Sequence, residues 1–523
     1  MTTHDTEIAA AFDSATDTAI GTGPSLDTGP SPDREPSPDA ESSRLALETD
    51  DRTDAVPRPP WRALSALLIG TFITAIDFFI VNVALPSMQA ELHASEGSVE
   101  WFVAAFSLGT AAALLTAARI GDRFGRRGAF VIGIAVFVAA SVVCAAAADA
   151  EVLVIGRFVQ GVATAFVTTS VMAMIGSVFH GPARARAIGL YAAVLGIGAA
   201  AGQIIGGLLV GADLWGLGWR SIFAINVPIG ILALVLTPFV VPATRGIARR
   251  LDVGGVVLMT AAIVALVLPL VEGRDSGWAP WVWVSFALVP VLVAVFFAQQ
   301  RRLESRGGAP MFPPMLLRTP AFRWGLLWQL VFWCGQASFY VVLTMYLQLG
   351  RDLTALESGI VFLGLAVPYF VAVALVPRLV ARLGRLVLVL GSVANLIGFT
   401  ALAVVALTGA DVAWVLVGLV FCGAAQGLSI PPSTGLVLGT ADAADAGIVS
   451  GALSTMQQVG GALGVAVVGT VFFGMLGSAP GGSGVADAFA SSLQPLAVVA
   501  ALALVLTFLL PRGTRAAHTG GAR

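Results

Sequence analysis

Two charged side chains lie inside apolar runs of this sequence, and their types suit proton chemistry. Asp77 interrupts "AIDFFIVNVALP" (75–86), in a stretch from Ala63 to Leu85 that holds no other charge. Arg157 interrupts "LVIGRFVQG" (153–161) in the same way. A charge deep in a membrane helix costs about 2.5–3.5 kcal/mol on insertion scales, and such residues are functional by default. Two readings stand. The pair is a structural ion pair, or Asp77 takes up and releases a proton under the influence of Arg157. A second cluster joins Asp122 to Arg119, Arg123, Arg126 and Arg127 around "GDRFGRRG" (121–128), where Gly121 and Gly125 supply a tight turn. It is an orientation signal with a solvated face, or an acid–base bridge that differs between two conformations.

The elements that must position these groups are membrane spans. The chain has 523 residues, of which 57% are hydrophobic and 11% charged, with mean hydropathy +0.88. Such a composition belongs to a polytopic membrane protein. A spanning helix needs roughly 20 apolar residues. Runs of that kind fall near 63–85, 99–119, 129–148, 152–178, 187–210, 221–241, 252–271, 280–299, 324–349, 358–380, 386–407, 412–438, 446–475 and 493–511, fourteen in all. The links after runs two, four, six, eight and ten, counted with Arg119 and Arg378 at the ends of their runs, hold 17 Arg, whereas the opposite links hold only Arg220, Arg274 and Arg351. The positive-inside rule therefore places both termini in the cytoplasm. On this topology Asp77 lies roughly 13 Å and Arg157 roughly 9 Å from the outer ends of their helices, at 1.5 Å per residue.

Residues 1–57 hold 13 acidic and 3 basic residues and little apolar content. A solvated acidic cytoplasmic tail over 1–60 is expected. "ARIGDRFGRRG" (118–128) after run two has a weak copy, "PRLVARLGRLV" (377–387), after run ten, with Ala381 in place of Asp122. The copy divides the chain into a six-helix half (61–243), two inserted central helices (244–300), a cytoplasmic linker (301–323), a second six-helix half (324–511) and a short cytoplasmic tail (512–523). Parallel repeats of this kind are a transporter design. Cys144, Cys334 and Cys422 all fall in apolar runs and read as small buried residues.

"GIGAAAGQIIGG" (196–207) and "GALSTMQQVGGALG" (451–464) are small-residue surfaces that let helices approach closely. Gln336, Gln348, Gln426 and Gln457 either hydrogen-bond a ligand or link helices. No HExxH, GxSxG or Walker pattern occurs, and the four His lie in tails and loops. An intramembrane enzyme is thus poorly supported. No filter-like segment speaks for a channel.

Taken together, these motifs resemble the major facilitator superfamily, and within it the fourteen-helix drug:proton antiporter branch, over residues 60–510. Asp77, Asn82 and Pro86 match the branch's helix-one motif. Asp122, Arg123, Gly125 and Arg126 match the superfamily loop after helix two, with Ala118 replacing its first Gly. Arg157, Gln160 and Gly161 match the helix-four motif, and "WRSIFAINVPIG" (219–230) and "LDVGG" (251–255) match further branch signatures. The helix-five antiporter motif keeps Gly198, Gly202, Gly206 and Gly207 but has Gln203 where the branch usually has Pro.

The resemblance implies an all-α major facilitator fold in a bacterial cell membrane. It implies export of a small amphipathic organic compound by alternating access and proton antiport, with no cofactor beyond the proton gradient. Asp77 and Arg157 would couple the proton, and Asp122, Arg123, Gly125 and Arg126 would gate the conformations. Asn82, Gln160, Trp333, Gln336 and Tyr340 are candidates for the substrate cavity. Trp324, Phe332, Trp333 and Tyr340 offer aromatic contacts that equally suit packing. The expected partners are the substrate and the lipid bilayer, not nucleic acid, and the chain is expected to act as a monomer. Uptake or facilitated transport of a metabolite is the alternative; a sensor or channel is more distant.

Overall fold

A computed structural model describes residues 61–511, apart from 180, 244–251, 274–275, 307, 309–311, 313, 441–445 and 477–481. The expected acidic tail, the expected short final tail and parts of the expected central linker lie outside the described residues. Fourteen helices are long and apolar enough to cross a membrane. They are α1 (Trp61–Glu91), α2 (Glu96–Phe124), α3 (Arg126–Ala145), α4 (Ala150–Val178), α5 (Gly181–Ala212), α6 (Gly218–Val240) and α7 (Val253–Glu272). There follow α8 (Pro280–Ser305), α9 (Pro320–Gly350), α10 (Ala355–Leu383), α11 (Leu386–Thr408), α12 (Val412–Leu438), α13 (Ala446–Leu476) and α14 (Gly482–Leu509).

Local chemistry sets the helix ends. At the arginine-poor end of the bundle the side chains of Ser95, Asp149, Thr354 and Asp411 accept from backbone N–H groups at the starts of α2, α4, α10 and α12. These caps satisfy donors that a helix start leaves without partners. At the arginine-rich end Gly125 (φ +97°) separates α2 from α3, and Gly384 (φ +55°) follows α10 before α11. Both turns need a backbone conformation that glycine adopts without penalty.

The spans agree with the sequence reading in number and place, with one clear difference. The last helix begins at Gly482, not near 493. The sequence reading leaves its first turns outside the last run, yet Phe489 there stacks on Tyr346 of α9 with ring centroids 4.3 Å apart. Tertiary packing overrides weak local preference at that point.

The packing repeats eight helices on. In the first half α1 packs on α5 and α6, α2 on α4, and α3 on α4 and α6; in the second, α9 packs on α13 and α14, α10 on α12, and α11 on α12 and α14. The halves meet through α2 against α13 and α5 against α10, which are images of one another under the same offset. The inserted α7 packs on its partner α8 and also on α2 and α13.

The apolar core is asymmetric along the bundle. At the arginine-poor end a single cluster joins both halves, running from Ile80, Leu85 and Phe102 to Leu343, Phe472 and Phe489. At the arginine-rich end one cluster, with Leu64, Phe130 and Phe179, is built from α1–α6 alone, and another, with Trp328, Leu388 and Leu506, from the second half alone.

Candidate functional site

Asp77 lies at the centre of a buried polar network inside the first half. Its carboxylate accepts from Arg157 Nη1 at 2.5 Å, from Asn226 Nδ2 at 2.6 Å and from Gln160 Nε2 at 3.1 Å. Asp77, Arg157, Gln160, Ser141 and Asn226 are all fully shielded from solvent. Four helices supply these groups: α1, α3, α4 and α6. Ser141 Oγ accepts from both Gln160 (2.9 Å) and Asn226 (3.3 Å) and ties α3 into the network. Arg157 also donates through Nε to the Phe102 carbonyl at 3.0 Å, and its guanidinium lies 4.5 Å from the Phe106 ring centroid.

This arrangement holds an ion pair in a dry setting by surrounding it with amide and hydroxyl dipoles. Burying two charges is costly unless the geometry is good and the remaining donors and acceptors are used. The Asp77 carboxylate meets that condition with three donors. Every partner belongs to one half, so relative motion of the two halves leaves this cage intact.

Two contacts of the helix-two loop lie within the first half. Asp122 pairs with Arg126 across the Gly125 turn. Arg127 donates to the Val241 carbonyl at 3.1 Å and fastens the end of α6. Arg123 lies over the exposed Phe124 ring. A side chain at Gly121 would crowd Arg126, with Cδ and Nη1 both 3.0 Å away.

On α5, Gly198, Gly202 and Gly206 face α1. A Cβ there would lie 2.7 Å from Ala75 Cβ, 3.0 Å from Ile76 O and 2.8 Å from Ile80 Cγ1, respectively. Gly207 faces the other half, with Ala355 O only 2.5 Å from such a Cβ. Gln203 is buried, and neither end of its amide has a hydrogen-bond partner among the described residues.

The cavity candidates separate into different surroundings. Gln160 belongs to the Asp77 cage. Asn82 is buried on α1, and Gln336 on α9, each with an amide oxygen lacking a partner among the described residues. Tyr340 donates to Gln426 Oε1 at 3.0 Å and meets Phe79 of the opposite half edge-on, with centroids 5.3 Å apart. Trp333 is half-buried and donates to Gln329 Oε1 at 3.1 Å. Gln457 Nε2 donates to the same oxygen at 3.2 Å, and Gln329 Nε2 donates to Ser433 Oγ at 2.9 Å. Gln348 bridges the halves by donating to the Val83 carbonyl at 2.8 Å.

Sequence reasoning missed three contributors. Asn226 stands inside "WRSIFAINVPIG", and its role emerges only from its 2.6 Å contact with Asp77. Gln329 organises the neutral cluster in the second half. Glu100 is the third: the expectation that Asp77 and Arg157 are the embedded charges needs correcting, because Glu100 is 2% exposed, where α2 meets α13. It stood at the edge of run two, where a carboxylate reads as interfacial. "LDVGG" has a structural role. Asp252 caps α7 and accepts from Gln299 Nε2 (2.8 Å) and Gln300 Nε2 (2.6 Å), clasping α7 to α8.

Comparison with known proteins agrees with this architecture. The sequence profile of the Major Facilitator Superfamily matches residues 67–465. The probable actinorhodin transporter of Streptomyces coelicolor is 34% identical, covering 82% of this chain and 75% of that one. Multidrug resistance protein Stp of Mycobacterium tuberculosis is 33% identical over 78% of this chain and 75% of its own. The tetracenomycin C resistance and export protein of Streptomyces glaucescens is 31% identical, with 80% and 77% covered. In fold the chain is similar to a D-xylose–proton symporter (TM-score 0.63, 13% identical, 86% of this chain and 98% of that one). With the family profile spanning most of the bundle and drug and antibiotic transporters among its relatives, the chain belongs to the major facilitator superfamily and to its drug-efflux type.

Proposed function

We propose that this transporter exports small, mainly amphipathic organic molecules, antibiotics or secondary metabolites among them, by alternating access driven by proton antiport. The observation that carries alternating access is the one-sided core. The halves share an apolar cluster at the arginine-poor end, and each closes on its own cluster at the arginine-rich end. With arginines inside, both termini are cytoplasmic and this conformation faces the cytoplasm. Asp77 supports proton coupling, because a carboxyl group embedded in the membrane can bind and release a proton, and intramembrane acids mark proton relays. Trp333, Gln457, Gln336 and Tyr340 offer a substrate aromatic surface and neutral hydrogen-bonding groups. The names of the relatives, the tetracenomycin C resistance and export protein and the puromycin resistance protein pur8 of Streptomyces alboniger among them, support outward transport of such compounds. A single chain supplies both halves, which supports action as a monomer.

Proteoliposomes loaded with an imposed pH gradient test this reading, with puromycin and ethidium as probes. Accumulation that follows the gradient and collapses with a protonophore is expected. Probe exchange that ignores the gradient would leave facilitated transport instead. Orientation is tested in cells with single cysteines at Ser95 and Gly128, after replacing the native three. An impermeant thiol reagent should label position 95 from outside and leave position 128 unlabelled; equal labelling would overturn the topology.

A further inference from the structure

We propose that Gln203 is a built-in opener of the outer seam: its amide is deprived of hydrogen bonds while α5 and α10 are closed on one another, and regains them from water when the two helices part. The proposal rests on the alternating-access reading above and names a residue that keeps the apolar end of the bundle from locking shut.

Gln203 lies toward the arginine-poor end of α5, the helix by which the first half meets α10 of the second. Main chain rests on main chain around it. One turn farther out, a Cβ on Gly207 would lie 2.5 Å from Ala355 O and 2.8 Å from Leu356 Cα. Across the seam, a Cβ on Gly359 would lie 2.5 Å from Gln203 O and 3.4 Å from Ile204 Cα. Residues 203 and 207 share one face of the helix, so the Gln203 side chain springs from the face that α10 covers. It is 1% exposed. Its neighbours Ala201 and Ile205, like Phe362 of α10, belong with the apolar cluster that joins the halves.

A glutamine side chain carries two donors and an acceptor oxygen. Here neither Nε2 nor Oε1 has a partner among the described residues. Ser358 Oγ, beside Gly359, lacks one too, so the two side chains do not bond each other. Asn82 Oδ1 of α1 and Thr344 Oγ1 of α9 are in the same position. A polar group buried without a partner forfeits the hydrogen bonds that water gave it, and the penalty lasts only as long as the burial. Parting α5 from α10 at this end, as an outward-facing state requires, returns the amide to water. The penalty therefore falls on the cytoplasm-facing state alone.

The opposing force is the apolar cluster itself, which favours closure. Gln203 offsets part of it and narrows the gap between the two states, so that both stay populated. The Asp77 cage lies within one half and has no share in this balance.

The test reads how often the seam opens. Ser358 is fully buried, and Ser358→Cys, with the three native cysteines replaced, puts a small thiol in the seam. Its rate of labelling by an impermeant thiol reagent added from outside, without substrate, follows the population of the open seam. Ala212→Cys, at the exposed end of α5, controls for access of the reagent. Gln203→Met keeps the length of the side chain and removes both polar ends. Labelling at 358 should slow about fivefold or more, the factor for one unmade buried hydrogen bond. Gln203→Glu at alkaline pH places a carboxylate there, which is harder to bury than an amide, and labelling should outpace that of the parent. A folding defect would move both variants the same way, so opposite signs are the signature. Equal rates in the parent and both variants, or a shift in one direction by both, would overturn the proposal and leave alternating access standing. No labelling at 358 in any background, with 212 labelled normally, would refute the alternating-access reading and the proposal with it.

Discussion

Among the described residues, the first half of the bundle buries charged groups, and the second buries only neutral ones. Asp77 and Arg157 sit in a cage of amides and hydroxyls, while the second half carries Gln329, Trp333, Ser433 and Gln457 linked by hydrogen bonds through Gln329. The packing scheme is the same on both sides. What differs is which groups the scheme encloses. The same inequality recurs in the repeated loop. Arg126 pairs with Asp122, but in the second copy Ala381 offers no acid, and Arg385 reaches the carbonyls of Phe508 (3.2 Å) and Leu510 (2.7 Å) at the end of α14. A duplicated scaffold has been given two jobs: one half is equipped to handle charge, the other to offer uncharged contacts.

Breaking the charged half should have the largest effect. Asp77→Asn keeps the shape but removes the titrating group and replaces one acceptor oxygen by an amide donor, and it leaves Arg157 buried without its counter-charge. Loss of one partner of a buried pair costs about 3–5 kcal/mol. Gradient-driven accumulation should disappear, probe exchange should survive, and the detergent melting temperature should fall. Adding Arg157→Gln should recover melting without recovering gradient-driven transport. Undiminished accumulation by Asp77→Asn would reduce the cage to a structural device.

A smaller effect is expected in the neutral half. Gln329→Leu removes the acceptor of Trp333 and Gln457, a loss of about 1–3 kcal/mol where buried groups go unpaired. Probe affinity should weaken, while the number of protons moved per probe molecule stays as in wild type. A changed proton count would erase the division between the halves.

The loop copies give the finest test. Arg385→Ala should lower melting by only a few degrees, because a hydrogen bond contributes about 0.5–1.5 kcal/mol net. Ala381→Asp should draw Arg385 into an i,i+4 pair like that of Arg126 and release the end of α14. Faster hydrogen exchange over the last turn of α14 in both variants is the signature to look for; an unchanged rate would mean Arg385 does not hold that end.

The spans were legible because a bilayer imposes a coarse rule. Twenty apolar residues and an arginine bias survive any detail of packing. Asp77 and Arg157 were legible for the same reason, as charges where lipid forbids them. Asn226 was not, since an amide in an apolar run has no sequence mark that separates a network member from a helix link. Glu100 was hidden by its place at a predicted boundary, five residues into a helix whose start is set by the Ser95 cap. The early start of α14 was hidden because Phe489 packs on Tyr346, some 140 residues away in sequence. Helix ends and neutral networks depend on partners, and partners are a property of the fold.

The glycines at the α5–α10 contact bear on how quickly the bundle can cycle. A Cβ on Gly207 would meet the Ala355 backbone, and one on Gly359 would lie 2.5 Å from Gln203 O, so here main chain rests on main chain. Interlocked side chains must give up rotamer freedom each time such a surface re-forms, up to about 2 kcal/mol for a long one. Two bare helix backbones have nothing of that kind to freeze. Their internal hydrogen bonds are already complete, so they can part and rejoin as smooth bearing surfaces, with little disorder lost or regained per turnover.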